Sequence, residues 1–222
     1  MSKKCATCRL VNYPSATECE RCGAELSTST ESVRTSDSLA ATISKRAFVC
    51  VLVLLIVLAG FYLSLIGSAK SLTYDDKQTV KRSIAVLREK GFGDEVFYLE
   101  NLAAFRGSDN WLNASVAKEN AYAATNFPFE IVTLYPDFFS YPIDDTERAA
   151  ILLHEAKHLA GGDEHEAYEF VWKHRDQLGY SISKYGGSPV WQNIRKQTKD
   201  NVPEMFVCSE LAYFDCTEPV IR

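Results

Sequence analysis

Residues 144–161 read DDTERAAILLHEAKHLAG, and the reading of this stretch decides the architecture around it. Asp144 followed three residues later by Glu147 is a helix-start pattern, and Gly161 is a helix-stop residue. The spacing predicts a helix over 145–160. A second helix is expected over 163–178, closed by Gly179. Upstream, residues 129–134 (FEIVTL) are β-branched and aromatic and read as a strand. Residues 74–90 carry Val80, Ile84 and Leu87 at helical spacing, with Asp75 and Asp76 at the start and Gly91 after the end. Residues 97–105 and 111–126 follow no single period, and the Ala-rich part, 114–125, fits a helix or a loop and strand equally. Beyond residue 181, Gly186, Gly187, Pro189 and Pro203 break the chain into short pieces. Residues 70–222 are long enough for one independent core. Helices mixed with a strand make its class α+β, rich in helix.

Working outward towards the N-terminus, residues 47–67 read AFVCVLVLLIVLAGFYLSLIG, which is 21 residues without a charge. At about 1.5 Å per residue they span roughly 31 Å, one bilayer core. Tyr62 lies near the outer end, where aromatic side chains meet headgroups. The 46 preceding residues exclude a simple signal peptide, so a single-pass membrane helix is expected. Residues 27–46, rich in Ser and Thr, read as a flexible linker. The net charge of −5 excludes a generally basic nucleic-acid binder, and no DNA partner is expected. Charge is also unevenly divided. Residues 1–46 hold 7 Lys and Arg against 5 Asp and Glu, whereas residues 70–222 hold 17 against 24.

Cys5, Cys8, Cys19 and Cys22 form two C-x2-C knuckles ten residues apart. Four thiolates at this spacing close a tetrahedral Zn²⁺ site with no open position, which makes the site structural. A module of residues 1–26 is too small for a real core, so the metal must supply its folding free energy. Reduced cysteines belong in a reducing compartment. With Lys45 and Arg46 abutting the membrane helix, they place the N-terminus in the cytoplasm. The C-terminal domain is then extracytoplasmic, periplasmic in a bacterium. There Cys208 and Cys216 are expected to form a disulfide.

All four histidines lie between His154 and His174. His154 and His158 are four residues apart on one helix face, so both imidazoles can hold one Zn²⁺. Glu155 stands beside the first ligand and is expected to act as general base towards water activated by the ion. The third ligand must come from beyond this helix. On a helical wheel, Glu164 shares the apolar face with Ala167, Val171 and Leu178, while Glu166 and Glu169 fall on the polar side. A carboxylate on a buried face needs a partner, and a metal is one. Glu164 is therefore the expected ligand. Glu166, which a short hairpin would bring opposite His158, is the alternative. Tyr168, His174, Tyr180 and Tyr185 are candidates for stabilising an oxyanion, with none assigned. Met205 reads as an ordinary core residue.

Two resemblances follow from these motifs. The spacing C-x2-C-x3-N-x6-C-x2-C, with Asn12 in the middle, resembles zinc ribbons of the Ran-binding-protein type, although Lys3 stands where that family usually has Trp. That resemblance implies a cytosolic protein or RNA partner. His154-Glu155-x-x-His158-x-x-Gly161-x-x-Glu164 resembles the zincin metallopeptidases. The Gly and third-ligand spacing is similar to metzincins, with Glu in place of the usual His or Asp. Glu164-x-x-Ala167 is similar to the glutamate-bearing helix of gluzincins. This implies a zinc-dependent hydrolase of peptide or protein substrates, anchored in a lipid bilayer, with Glu155 as base. The alternatives are a catalytically inactive zincin-like binding or signalling protein, whose ribbon recruits a cytosolic partner, and a zinc hydrolase of a non-peptide bond.

Overall fold

The computed structural model describes residues 2–26, 36–114, 122–126 and 128–206, with the backbone alone for residues 36–39. The chain divides into two units, Met1–Leu55 and Ile56–Arg222. The expected Cys208–Cys216 disulfide lies outside the described residues.

In the first unit, β1 (Lys3–Lys4) pairs antiparallel with β2 (Val11–Asn12). The knuckles repeat one backbone pattern. The Arg9 and Gly23 N–H groups donate to the Cys5 and Cys19 carbonyls, each at 2.9 Å. Cys5 and Cys19 are buried with Leu26 in a small cluster.

Helix α1 runs Ser36–Ser68, and its stretch Ala40–Ser68 has a mean hydropathy of 3.0, long and apolar enough to cross a membrane. The second half of the expected linker is thus helical. Leu39, Ala40 and Ala41 lead into the apolar run with no Gly or Pro between, so the helix propagates back from it.

The second unit is α+β, as expected. Helix α2 (Tyr74–Glu89) starts where expected and ends one residue before Lys90; Thr73 is the N-cap, in a capping box with Asp76. Then follow α3 (Gly93–Asn101), β3 (Ala104–Arg106), β4 (Ala123–Asn126) and β5 (Ile131–Leu134). Strand β5 is central, parallel to β3 and antiparallel to β4. The expected strand over 129–134 begins only at Ile131, because Glu130 turns the chain with φ 50°. After the short α4 (Pro136–Ser140) come α5 (Asp145–Leu159) and α6 (Glu164–Leu178). The tail folds into α7 (Ile182–Tyr185), α8 (Pro189–Asn201) and a 3-10 turn, Pro203–Phe206. Met205 packs partly buried against the core, as expected of an ordinary core residue.

Helix α5 is the axis of the core. Ala149, Ala150, Leu152, Leu153 and Ala156 are fully buried, which covers more than one face of the helix. It packs against α2, α3, α6 and β4. At its start, the Asp144 carboxylate accepts the N–H groups of Thr146 and Glu147. Glu147 does not complete a capping box. Its carboxylate accepts the Ile143 N–H at 2.9 Å, one residue further back. Asp144 is also held from the tail by Lys184 at 2.9 Å and by the Tyr185 hydroxyl. Burial disfavours the Asp144 charge, but Lys184 and the helix N–H groups outweigh it and hold the carboxyl below its ordinary value.

Asp144→Ala removes the cap and the tie to α7 together. The expected loss is about 1–2 kcal/mol, seen as a lower thermal midpoint by circular dichroism. Because the folded value is depressed, this contribution is present above the free value of 3.8 and fades below it. The gap between wild type and variant should narrow in acid.

Candidate metal centre

A four-residue reversal builds the centre. The Gly162 N–H donates to the Lys157 carbonyl and the Gly161 N–H to the His158 carbonyl, each at 2.9 Å. With Gly161 at φ 88° this is a Schellman closure of α5. Asp163 then caps α6 and forms a capping box with Glu166. Gly162 sits between these devices. A Cβ there would lie 3.1 Å from both the Lys157 carbonyl and the Glu166 carboxylate.

The reversal carries Glu164 across to the histidines. The Nε2 atoms of His154 and His158 are 3.0 Å apart. Glu164 Oε2 is 3.2 Å from His154 Nε2, and Oε1 is 3.5 Å from His158 Nε2. Four ligands bound at about 2.1 Å to one ion stand about 3.4 Å from one another. The three groups therefore have the spacing of three corners of such a tetrahedron, and all three line an open cleft. They could hold a metal ion.

Glu164 is brought in from a different setting than its wheel position suggests. Its side chain is 61% exposed, because it is the first residue of α6 and no preceding turn covers it. Glu166 is spent in the capping box, with its Oε2 accepting the Asp163 N–H at 3.2 Å. Glu169 pairs with Lys173, and His165 pairs with Glu204.

The two imidazoles are held differently. His158 Nδ1 faces the Gly162 carbonyl at 2.9 Å, so it carries the proton and leaves Nε2 for a ligand bond. His154 Nδ1 is buried without a hydrogen-bond partner, and its ring rests on Tyr168 at a centroid distance of 4.3 Å. Burial works against a charged His158. The Glu164 carboxylate, the Gly162 carbonyl and the Glu155 charge outweigh it and push the ring up to about 9. The same histidines hold Glu164 far below the carboxylate range.

Glu155 is buried and accepts a hydrogen bond from Thr125 of β4 at 2.7 Å. No residue periodicity points to Thr125, and only the pairing of β4 with β5 places it there. The residues open onto a cleft of about 530 Å³, walled by β4, Ile151, Tyr168 and Val171, with Asn193 and Gln197 of α8 on the far side. Of the four oxyanion candidates, only Tyr168 lines this cleft. Burial first, then Glu164 and Glu155, raise its phenol, so it is a neutral O–H donor. Tyr180 and Tyr185 are core residues, and His174 bonds the Phe170 carbonyl and lines a separate hollow.

The cysteines form a second centre. Cys5 and Cys22 sulfurs are 3.6 Å apart and Cys8 and Cys19 sulfurs 3.4 Å, in a group able to hold a metal. Asn12 links the knuckles: its amide lies 3.6 Å from the Cys19 sulfur, and its oxygen accepts the Glu20 N–H. The Arg21 N–H draws the Cys19 thiol down to about 6. For Cys22, the Ala24 N–H favours the thiolate, but Cys8 and burial outweigh it and push the thiol up to about 12. Converging thiolates repel, and a cation relieves that repulsion.

The chain matches no family model, no curated protein and no solved structure.

Two outcomes follow. In chelator-treated protein, His158 contributes stability that is complete below its free value of 6.5 and lost as pH rises through about 9. Glu164 acts in the opposite sense, below its free value of 4.5. The thermal midpoint should fall between pH 6.5 and about 9, and Glu164→Gln should flatten that fall. In the ribbon, Arg9 and Gly23 occupy equivalent positions at φ 59° and 69°. Only Arg9 carries the side-chain cost of that conformation, so Arg9→Gly should stabilise the loaded ribbon by up to ~1 kcal/mol, read by chelator competition.

Proposed function

We propose that the chain is a membrane-anchored, zinc-dependent peptide hydrolase. The observation that carries this reading is the convergence of His154, His158 and Glu164 at tetrahedral spacing, with Glu155 buried beside them on the floor of an open cleft. Two imidazoles, neutral once they bind a metal, and one carboxylate with an open corner suit catalytic zinc. Zinc, when bound, supplies Lewis acidity that polarises a carbonyl and makes water acidic near neutral pH.

The chain's residues supply the rest. Strand β4 offers a sheet edge along which an extended substrate can pair, so main-chain hydrogen bonds set its register. Glu155 takes a proton from the attacking water as the new C–O bond forms, and returns it to the amine nitrogen as the C–N bond breaks. Thr125 holds one Glu155 oxygen and leaves the other for that transfer. Tyr168 donates to the oxygen that gains charge. The ribbon is a second, structural zinc site, in keeping with four soft thiolates and no open corner. In this arrangement α1 crosses the bilayer with the ribbon in the cytoplasm, where it meets a protein or RNA partner. The hydrolase domain stands on the opposite side.

The test uses the full chain in detergent, with metal analysis and cleavage of an unstructured protein. Two zinc equivalents are expected, one of them lost in His154→Ala. Glu155→Gln should keep both metals and lose about 10²–10⁴ in kcat. Tyr168→Phe should lower kcat while leaving KM nearly unchanged. Full activity in Glu155→Gln would overturn the mechanism. Metal at both sites with no turnover would favour the inactive binding protein instead.

A further inference from the structure

The C-terminal end of α1 is gripped by a loop of the domain that follows it. Trp111 Nε1 donates to Ser64 Oγ at 3.0 Å, and the Trp111 N–H donates to Ser68 Oγ. The Trp111 ring meets Phe61 edge-on at 5.8 Å, and Phe129 meets the same Phe61 at 5.5 Å. Arg106 Nε donates to the Ile66 carbonyl, and Ser68 Oγ to that of Leu65. Carbonyls at a helix end are ordinarily left to water. Here the protein satisfies two of them, as a helix end at a membrane boundary requires.

Depth follows from helix geometry. Ser64 and Phe61 lie three and six residues before Gly67, so about 5 and 9 Å inside the apolar run. Trp111 is held at that level, yet it is 51% exposed, and Leu112 beside it is 40% exposed. An indole with its N–H satisfied and its ring uncovered at the end of a spanning helix has the placement of a membrane aromatic belt. Lys70 is exposed just beyond the helix end, at the level of lipid phosphates.

The catalytic cleft is close by. Thr125, which touches Glu155, is four residues from Phe129, a reach of at most about 14 Å. Adding the roughly 4 Å from the Phe129 Cα to its ring and the 5.5 Å ring contact, the edge strand lies within roughly 23 Å of the Phe61 ring inside the apolar run, about seven extended residues.

From this arrangement we infer that the 107–114 loop and Phe129 dip into the outer edge of the bilayer, where headgroups meet acyl chains, and hold the cleft at the membrane surface, so that its substrates are chains attached to the same bilayer. The substrate half of this inference rests on the hydrolase reading, and the lipid contact does not.

The experiment uses the full chain in phosphatidylcholine–phosphatidylglycerol vesicles, with or without lipids brominated near the headgroup. Of the three tryptophans, Trp172 and Trp191 are fully buried and none lies in 47–67. Bromolipid should therefore quench only the Trp111 emission, and Trp111→Phe should abolish the quenching while the buried pair reports an intact fold. Equal emission in both vesicles would overturn the lipid contact. An unstructured polypeptide is then compared with and without a two-chain lipid anchor. The anchored form should be cleaved about tenfold faster or more, and Trp111→Ser with Leu112→Ser should shrink that advantage without slowing cleavage of the free form. Equal rates for both forms would overturn the substrate assignment. Quenching with no cleavage of either form would uphold the lipid contact and reject the hydrolase reading together with its substrates.

Discussion

Everything at the proposed catalytic centre depends on the reversal between α5 and α6. Two imidazoles on one helix can approach each other unaided, because residues four apart share a face. A carboxylate from a second helix can join them only if the two axes meet at a fixed angle. The Schellman closure at Gly161 and Gly162 ends the first helix, and the Asp163–Glu166 capping box starts the next without a spare residue. The Gly162 carbonyl, fixed by the same turn, aligns His158. One local device therefore stops a helix, orients one ligand and delivers another.

Local chemistry was legible in the sequence, and non-local pairing was not. Helices α2, α5 and α6 stand within a residue or two of their expected bounds, because caps, glycines and apolar spacing act over one or two turns. The pair His154 and His158 was legible for the same reason. For Glu164 the wheel holds only in part: it places the residue on the inward face, but the first turn of a helix is open to solvent. Strands β3 and β4 carry too few residues to show a period. Their positions come from pairing with β5, and with them comes Thr125 against Glu155. The linker misled through composition. Ser and Thr favour loops when alone, yet a long apolar helix extends into such residues at little cost.

The two candidate metal centres illustrate opposite uses of the same convergence. In the ribbon, four sulfurs from paired knuckles surround a closed position within a module whose buried apolar cluster is Leu26 and two of the ligands themselves. A metal bound there would substitute for a core. In the second unit, the ligands stand on helices already locked by buried aromatics such as Trp172 and Trp191. A core of that kind would stand without an ion, so a metal held by His154, His158 and Glu164 could keep an open corner.

Strand β4 lies at the margin of its sheet, in a trough bounded by helices. Such a margin is ordinarily a liability, since neighbouring molecules can add to it and begin a fibre. Here α5, α6 and α8 rise around it. In the proposed hydrolase, this trough has room for a single extended strand but not for the breadth of a second sheet. If the proposed hydrolase reading holds, the same walls would restrict its substrates to chains that have already lost, or never had, their fold.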